Sequence, residues 1–315
     1  MNKKKIIILG ATGFLGSHLC KRLIENGYHL VVFIRSKKNS RINQLNSKKI
    51  TLVCTGDLTK IKKIDYQFSG IECVINCAAR AHVLNKEKHL ENKYIDKLIN
   101  IERNIIRNIK NKNIRIIHIS TSKIINIKKN KNHKTTDLYT RAKLESEKLI
   151  KENFKNYIIL RPPLIYGPEV KANFLFLMNI INWNIPLPFY KLNNARSYIY
   201  LENFLDIILK IISNKKIRNK TYNVSDGQAV STYTLCKLIS KHLSKKTKFF
   251  YVNKKILNFF FKLIGKDDIL EKVLGDFIVD SKEIEKDLNW KPKYKIEEGI
   301  KKTCFWYKRR FNISK

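Results

Sequence analysis

Gly10-Ala11-Thr12-Gly13-Phe14-Leu15-Gly16 follows the apolar run Lys5-Ile6-Ile7-Ile8-Leu9 and opens an amphipathic stretch from Ser17 to Asn26. Read together, these are a strand, a glycine-rich turn and a helix. Three of the chain's eleven glycines fall in this turn. Gly10 permits the tight bend, Gly13 lets backbone N–H groups approach a pyrophosphate, and Gly16 lets the helix pack close to the strand. The helix N-terminus, with its unpaired amides and partial positive charge, then faces the phosphates. The turn, with Thr12, Phe14 and Leu15 in it, is expected to hold a dinucleotide cofactor. Its spacing is GxxGxxG rather than GxGxxG.

A chain of 315 residues, 43% of them hydrophobic, can bury one large α/β core or two packed ones. No apolar run approaches the roughly 18 residues needed to span a bilayer, so no membrane insertion is expected. The run Ile6 to Leu9 is too short for a signal peptide. The six cysteines form no CxxC pair and no His/Cys cluster with metal spacing, which predicts a reduced, cytoplasmic protein with no metal. Cys73 and Cys77 flank a predicted strand and read as small core residues. The net charge of +38 raises the question of a nucleic-acid partner. The lysines are spread evenly, however, and accompany an excess of asparagine and isoleucine. All three have A/T-rich codons, so a compositional bias accounts for them. There is no basic arm and no repeat, and no specific nucleic acid is expected.

Further strand-like runs at 29–35, 50–54, 73–76, 115–120 and 157–160 alternate with helix-like runs at 14–26, 61–68, 93–112 and 138–153. This rhythm predicts an α/β fold of the Rossmann type, a doubly wound parallel sheet. After Pro162 prolines and aromatics cluster and the alternation is lost. The expected division is a dinucleotide-binding domain over 1–165 and a smaller C-terminal substrate-binding region over 166–315. In such sheets ligands sit beyond the C-terminal strand ends. Asp57, Ala78-Ala79-Arg80, Ser120-Thr121-Ser122 and Arg161-Pro162-Pro163 all fall there.

Tyr139-Thr140-Arg141-Ala142-Lys143 carries the chemistry. Residues four apart share a helix face. An ammonium beside a phenol favours the phenolate and lowers the tyrosine from about 10 toward working pH, which suits a general acid/base for a sugar or alcohol hydroxyl. Tyr233 with Lys237 and Tyr251 with Lys255 match the same YxxxK pattern. Only Tyr139 lies one short connection beyond the strand that ends in Ser120-Thr121-Ser122, so catalysis is expected there, and the other two pairs read as helices with a solvated lysine.

These motifs, with Asn76-Cys77-Ala78-Ala79, Asn100 in INIERN, and Arg161-Pro162-Pro163-Leu164-Ile165-Tyr166-Gly167-Pro168, resemble the extended short-chain dehydrogenase/reductases, the NAD-dependent epimerase/dehydratase group acting on nucleotide sugars. The resemblance runs from residue 5 to about 300 and includes Arg196-Ser197-Tyr198-Ile199-Tyr200 and Asn289-Trp290-Lys291-Pro292. It is nearest to bacterial enzymes of surface-polysaccharide synthesis, 4-epimerases or 4-keto reductases of UDP-linked N-acetylamino sugars.

The resemblance implies roles. Tyr139 is the acid/base, Lys143 also holds the nicotinamide ribose, and Thr121 is the catalytic hydroxyl, with Ser122 next to it, on the substrate side, as the alternative should the alignment shift by one. Asp57 and Leu58 lie against the adenine, Ala78, Ala79, Asn100 and Pro162 line the cofactor, Asn173 and Arg196 bind the nucleotide diphosphate, and His82 faces the sugar. Relatives often form a homodimer through the helices corresponding to 93–112 and 138–153. The chain departs from the pattern at Arg103-Asn104, where relatives have Gly-Thr, and at Ile124-Ile125-Asn126, where they have Val-Tyr-Gly.

NAD enzymes of this fold usually carry an acidic residue about 20 positions past the glycine turn, which binds the ribose 2′-hydroxyl. Here that place holds Arg35, and no carboxylate occurs between Glu25 and Asp57. Arg35, Lys37, Lys38 and Arg41 suit a 2′-phosphate. NADP(H) or NAD(H) is the expected cofactor, with a lean to NADP(H). With that lean a UDP-4-keto-sugar reductase is the favoured reaction, and a UDP-glucose or UDP-N-acetylglucosamine 4-epimerase, which uses the same residues, is the alternative. A non-catalytic RNA-binding dehydrogenase-like protein is the alternative from another class, against which the intact YTRAK stands.

Overall fold

The computed structural model describes residues 5–35, 48–61, 63–78, 91–129, 138–253, 256 and 273–313. The chain divides into two compact units: residues 1–162 with 207–223, and residues 163–206 with 224–315.

The first unit is built on seven parallel strands: β1 (Lys5–Leu9), β2 (His29–Ile34), β3 (Ile50–Cys54), β4 (Ile71–Asn76), β5 (Arg115–Ile119), β6 (Tyr157–Arg161) and β9 (Lys220–Asn223). Their order is β3-β2-β1-β4-β5-β6-β9. The order in which successive strands are added reverses between β1 and β4, which pair in parallel with Leu9 against Asn76. That reversal leaves a crevice beyond the strand ends. Strand residues alternate between faces. Ile7, Leu9, Val31, Phe33, Val74 and Ile116 form one buried cluster with Ile101 and Ile105 of α2 (Glu91–Asn108), Ile109 just beyond it, and Ile150 of α4 (Leu138–Asn153). Their neighbours Ile6, Ile8, Val32 and Ile75 are equally buried on the other face, where α1 (Phe14–Glu25) contacts β1 and β2.

Two readings of the sequence change. The sequence predicts a helix over 61–68, yet the described part of that stretch is an irregular connection. Its Ile61, Ile64, Tyr66 and Phe68 cover the core cluster directly, and the Ile64 N–H donates to Asn108 Oδ1 at 2.7 Å. A backbone donor bound to a neighbouring helix cannot serve an i to i−4 ladder. The seventh strand, β9, was not anticipated. It reaches β6 after α6 (Leu201–Ser213), so the chain returns to the first unit after residue 206. Arg115 fixes that return, donating to the carbonyls of Ile211 (2.7 Å), Asn214 (3.0 Å), Lys215 (3.2 Å) and Ile217 (2.8 Å). A guanidinium at a helix C-terminus satisfies carbonyls that lack an intrahelical partner.

The second unit pairs β7 (Leu164–Tyr166) with β8 (Tyr198–Tyr200) in parallel and adds α5 (Ala172–Asn182), α7 (Thr232–Leu243), α8 (Lys282–Leu288) and α9 (Ile296–Arg310). Tyr166, Tyr200, Phe174 and Met178 are buried in it. A Cβ on Gly299 would lie 2.9 Å from Tyr200 Cδ2, which explains a glycine inside α9. Asp226 accepts from the Tyr200 N–H and from Asn203 Nδ2, each at 2.8 Å.

Candidate active site

The glycine turn is as tight as its sequence demands. Gly10 has φ +76°, and a Cβ there would stand 2.7 Å from the Ala78 nitrogen. A Cβ on Gly16 would stand 2.8 Å from Ala11 Cα. The Gly13 N–H donates to the Gly10 carbonyl at 3.0 Å. Gly13 is the N-cap of α1; no side chain caps it and no acidic residue lies in the first turn. Thr12 is exposed, and Phe14 and Leu15 are half-buried. A helix end with open amides and no competing carboxylate, beside a cradle that a side chain would fill, fits a dinucleotide diphosphate.

The neighbouring strand ends add further candidates. Arg35 is exposed at the end of β2. Asp57 Oδ1 accepts from Thr59 N at 3.0 Å and Thr59 Oγ1 at 2.8 Å, which locks the turn after β3. The Leu58 carbonyl accepts from Asn104 Nδ2 at 2.7 Å, so the Asn104 departure from the family pattern ties α2 to that turn. Asn100 accepts from Arg103 at 3.2 Å. Ala79 and His82, like Arg80, Lys37, Lys38 and Arg41, lie outside the described residues.

Tyr139 and Lys143 lie one turn apart on α4 and line one small cleft with Ala78, Leu98, Ile101, Glu102, Ala142 and Ser146. Lys143 is 6% exposed and donates to the Ile119 carbonyl at 2.9 Å. Its burial pushes the ammonium below the usual lysine range; Glu102, Cys77 and Glu147 pull it back up. Thr121 and Ser122 are buried just past β5, where the Ser122 N–H donates to the carbonyl of Pro162 at 2.9 Å. The Lys123 ammonium lies 6.0 Å from the centre of the Tyr139 ring. The competing Tyr233 sits on α7 with Lys237 over its own ring at 5.5 Å. Tyr251 is outside any helix and exposed, and Lys255 is not described.

A buried polar layer that sequence reasoning missed lies beneath the cleft. Asn76 Nδ2 donates to Glu102 Oε1 at 3.1 Å and lies 3.3 Å from His118 Nδ1. Burial holds His118 well below the usual imidazole range, so it is neutral. Glu147 accepts from Ser120 Oγ at 2.5 Å and from Arg161 Nε at 2.8 Å. These contacts bind α4 to the ends of β5 and β6. The signal in the sequence was weak but present: Glu102 falls among Leu98, Ile101 and Ile105 on an apolar stripe, and His118 interrupts an isoleucine-rich strand.

In the second unit Asn173 is exposed at the start of α5. Arg196 Nη1 donates to the Gly275 carbonyl at 2.6 Å, and its guanidinium carbon lies 5.7 Å from the Phe277 ring centre. Among the described residues no three His, Cys, Asp or Glu side chains gather in a way that could hold a metal. No described helix is long and apolar enough to cross a membrane.

A model of the NAD dependent epimerase/dehydratase family matches residues 6–225. The chain is 32% identical to a UDP-glucose 4-epimerase of Vibrio cholerae, over 96% of this chain and 94% of that protein. The fold is similar to that of a UDP-glucuronic acid 4-epimerase from Bacillus cereus solved with NAD, at 18% identity and TM-score 0.71, covering 98% of this chain and 99% of the other. It is also similar to the Bordetella bronchiseptica enzyme WbmF solved with NAD+ and UDP, at 16% identity and TM-score 0.72, covering 99% and 94%.

Proposed function

The chain belongs to the NAD dependent epimerase/dehydratase family, and from that premise we propose that it is a UDP-sugar 4-epimerase. The observation that carries this reading is the 32% identity, over nearly the whole of both chains, to a UDP-glucose 4-epimerase. The resemblance noted from the motifs points to N-acetylated sugars as well as UDP-glucose.

The β1–α1 turn from Gly10 to Gly16 holds the cofactor diphosphate, with Asp57, Leu58, Ala78, Asn100 and Pro162 around the rest. When bound, the dinucleotide supplies reversible uptake of a hydride. Tyr139 takes the proton of the sugar O4 as that oxygen becomes a carbonyl, and returns it to the same oxygen afterwards. Lys143 keeps a positive charge beside the phenol, which favours its ionised form. Thr121 and Ser122 orient the O4 hydroxyl. Asn173 and Arg196 hold the UDP diphosphate, a guanidinium being a bidentate partner for phosphate. Nothing in this cycle consumes cofactor.

Arg35 favours a second reading. A cation at the end of β2 suits a 2′-phosphate, and a 4-keto-sugar reductase working with NADPH would use the same tyrosine to protonate O4. The two readings separate in one experiment. The purified protein is incubated with UDP-glucose or UDP-N-acetylglucosamine, and separately with a UDP-4-keto-6-deoxy sugar and NADPH. Interconversion of C4 epimers without net change in nicotinamide absorbance supports the epimerase; stoichiometric loss of NADPH with the keto sugar supports the reductase.

A further inference from the structure

We infer that Glu102 is a positioning residue for Lys143, the carboxylate that keeps its buried ammonium charged beneath Tyr139. The inference rests on the reading of Tyr139 and Lys143 given above. Glu102 is 2% exposed and lines the cleft that Tyr139 and Lys143 line. One carboxylate oxygen, Oε1, is held by Asn76. The other, Oε2, is buried and has no hydrogen-bond partner among the described residues. A buried carboxylate oxygen without a partner is costly, unless it answers a nearby charge. The cleft is small and partly open, and Glu102 and Lys143 both line it.

The other groups facing Lys143 contribute less. Cys77, after β4, has its thiol pushed up to about 12 by burial, so it carries no charge near neutrality. His118, on β5, is neutral. Glu147, on α4, is engaged by Arg161 and Ser120. Tyr139, also on α4, is the group that Lys143 is to act upon. Glu102, on α2, remains. The influence is mutual: burial raises the Glu102 carboxyl, and Lys143 is the largest influence drawing it back down, ahead of the hydrogen bond from Asn76 and the neighbouring Ser146 hydroxyl. Glu102 is likewise the largest influence supporting the ammonium.

Glu102→Gln tests this, since the amide keeps an acceptor for Asn76 and loses only the charge. Lys143 is titrated by NMR of its ε-methylene group, identified by its disappearance in Lys143→Arg, and the pH–rate profile is recorded alongside. The expected result is that Lys143 titrates at a pH lower by about one unit in Glu102→Gln, with the alkaline limb of turnover moving the same way. Ser146→Ala, which leaves Glu102 in place but removes a neighbouring hydroxyl in the same cleft that favours its carboxylate, shifts Lys143 in the same direction by less. A Lys143 titration unchanged in both variants overturns the inference. Tyr139→Phe serves as the separate control: if it retains turnover, the catalytic assignment fails, while the NMR titration still decides the role of Glu102.

Discussion

Glu147 and Arg161 form a bidentate pair, with Nε at 2.8 Å and Nη2 at 2.5 Å from its two oxygens, in the interior between α4 and the end of β6. The pair sits one and two turns further along the helix that carries Lys143 and Tyr139, so it sets the height of that helix over the strand ends. Removing one partner leaves a buried charge unanswered, which costs about 3–5 kcal/mol. Glu147→Ala is therefore expected to lower stability by that amount in urea denaturation. Glu147→Leu combined with Arg161→Met should recover most of it; a double variant as unstable as the single one would contradict this account.

Tyr139→Phe is expected to leave the fold intact and to lower turnover by roughly 10²–10⁴, the scale for loss of a general acid/base. Circular dichroism and steady-state rates measure both. Tyr233→Phe should have no such effect, because that ring packs between Tyr190 and Phe249 rather than at the sheet end.

Arg35 stands at the end of β2, and β2 pairs with β1 directly before the glycine turn, Phe33 against Leu9. A charge-assisted hydrogen bond to a 2′-phosphate contributes about 1.5–3 kcal/mol, or roughly ten- to hundredfold in affinity. Arg35→Asp should weaken NADP(H) by that factor and improve NAD(H). Titrating both cofactors against both proteins checks it, and equal wild-type affinities would count against any role for Arg35.

Burial raises the Asp226 carboxyl to about 7, against the hydrogen bonds from Asn203 and Tyr200 that draw it down. In the unfolded chain the same group loses its proton near 4. Between those values the folded chain keeps a proton that the unfolded chain releases. The contribution of Asp226 is thus fully present below pH 4 and is lost as pH rises toward 7, with a slope of at most about 1.4 kcal/mol per pH unit. Denaturation midpoints of wild type and Asp226→Asn across pH 4.5–7.5 are expected to diverge in that sense. Parallel curves would show that the group ionises normally.

The alternation of apolar strands and amphipathic helices made the sheet legible, because parallel strands buried on both faces read as continuous isoleucine and valine runs. The turn at Gly10 was legible because its backbone leaves no room for a side chain. Residues 61–68 misled for a physical reason: Ile61, Ile64 and Phe68 repeat near a helical period while packing as a strap whose backbone is bound by Asn108. β9 is short, and Lys220-Thr221-Tyr222-Asn223 carries no apolar run. Among site residues, Tyr139 and Lys143 could be picked from three matching pairs only by their place after β5. Glu102 and His118 could not, since a charge in so lysine-rich a chain looks solvated until packing shows it buried.

The late return of β9 to the first unit has a consequence for biosynthesis. Until residue 223 has left the ribosome, β6 has one bare edge, and residues 163–206 must emerge before the strand that covers it. An open strand edge invites pairing with other chains. The dinucleotide-binding half is therefore not a module that can be cut free: a fragment ending at residue 165 should aggregate in light scattering, and a peptide spanning 207–223, supplied in trans, should suppress it. A monodisperse, cofactor-binding 1–165 fragment would show that the nascent sheet closes without its last strand.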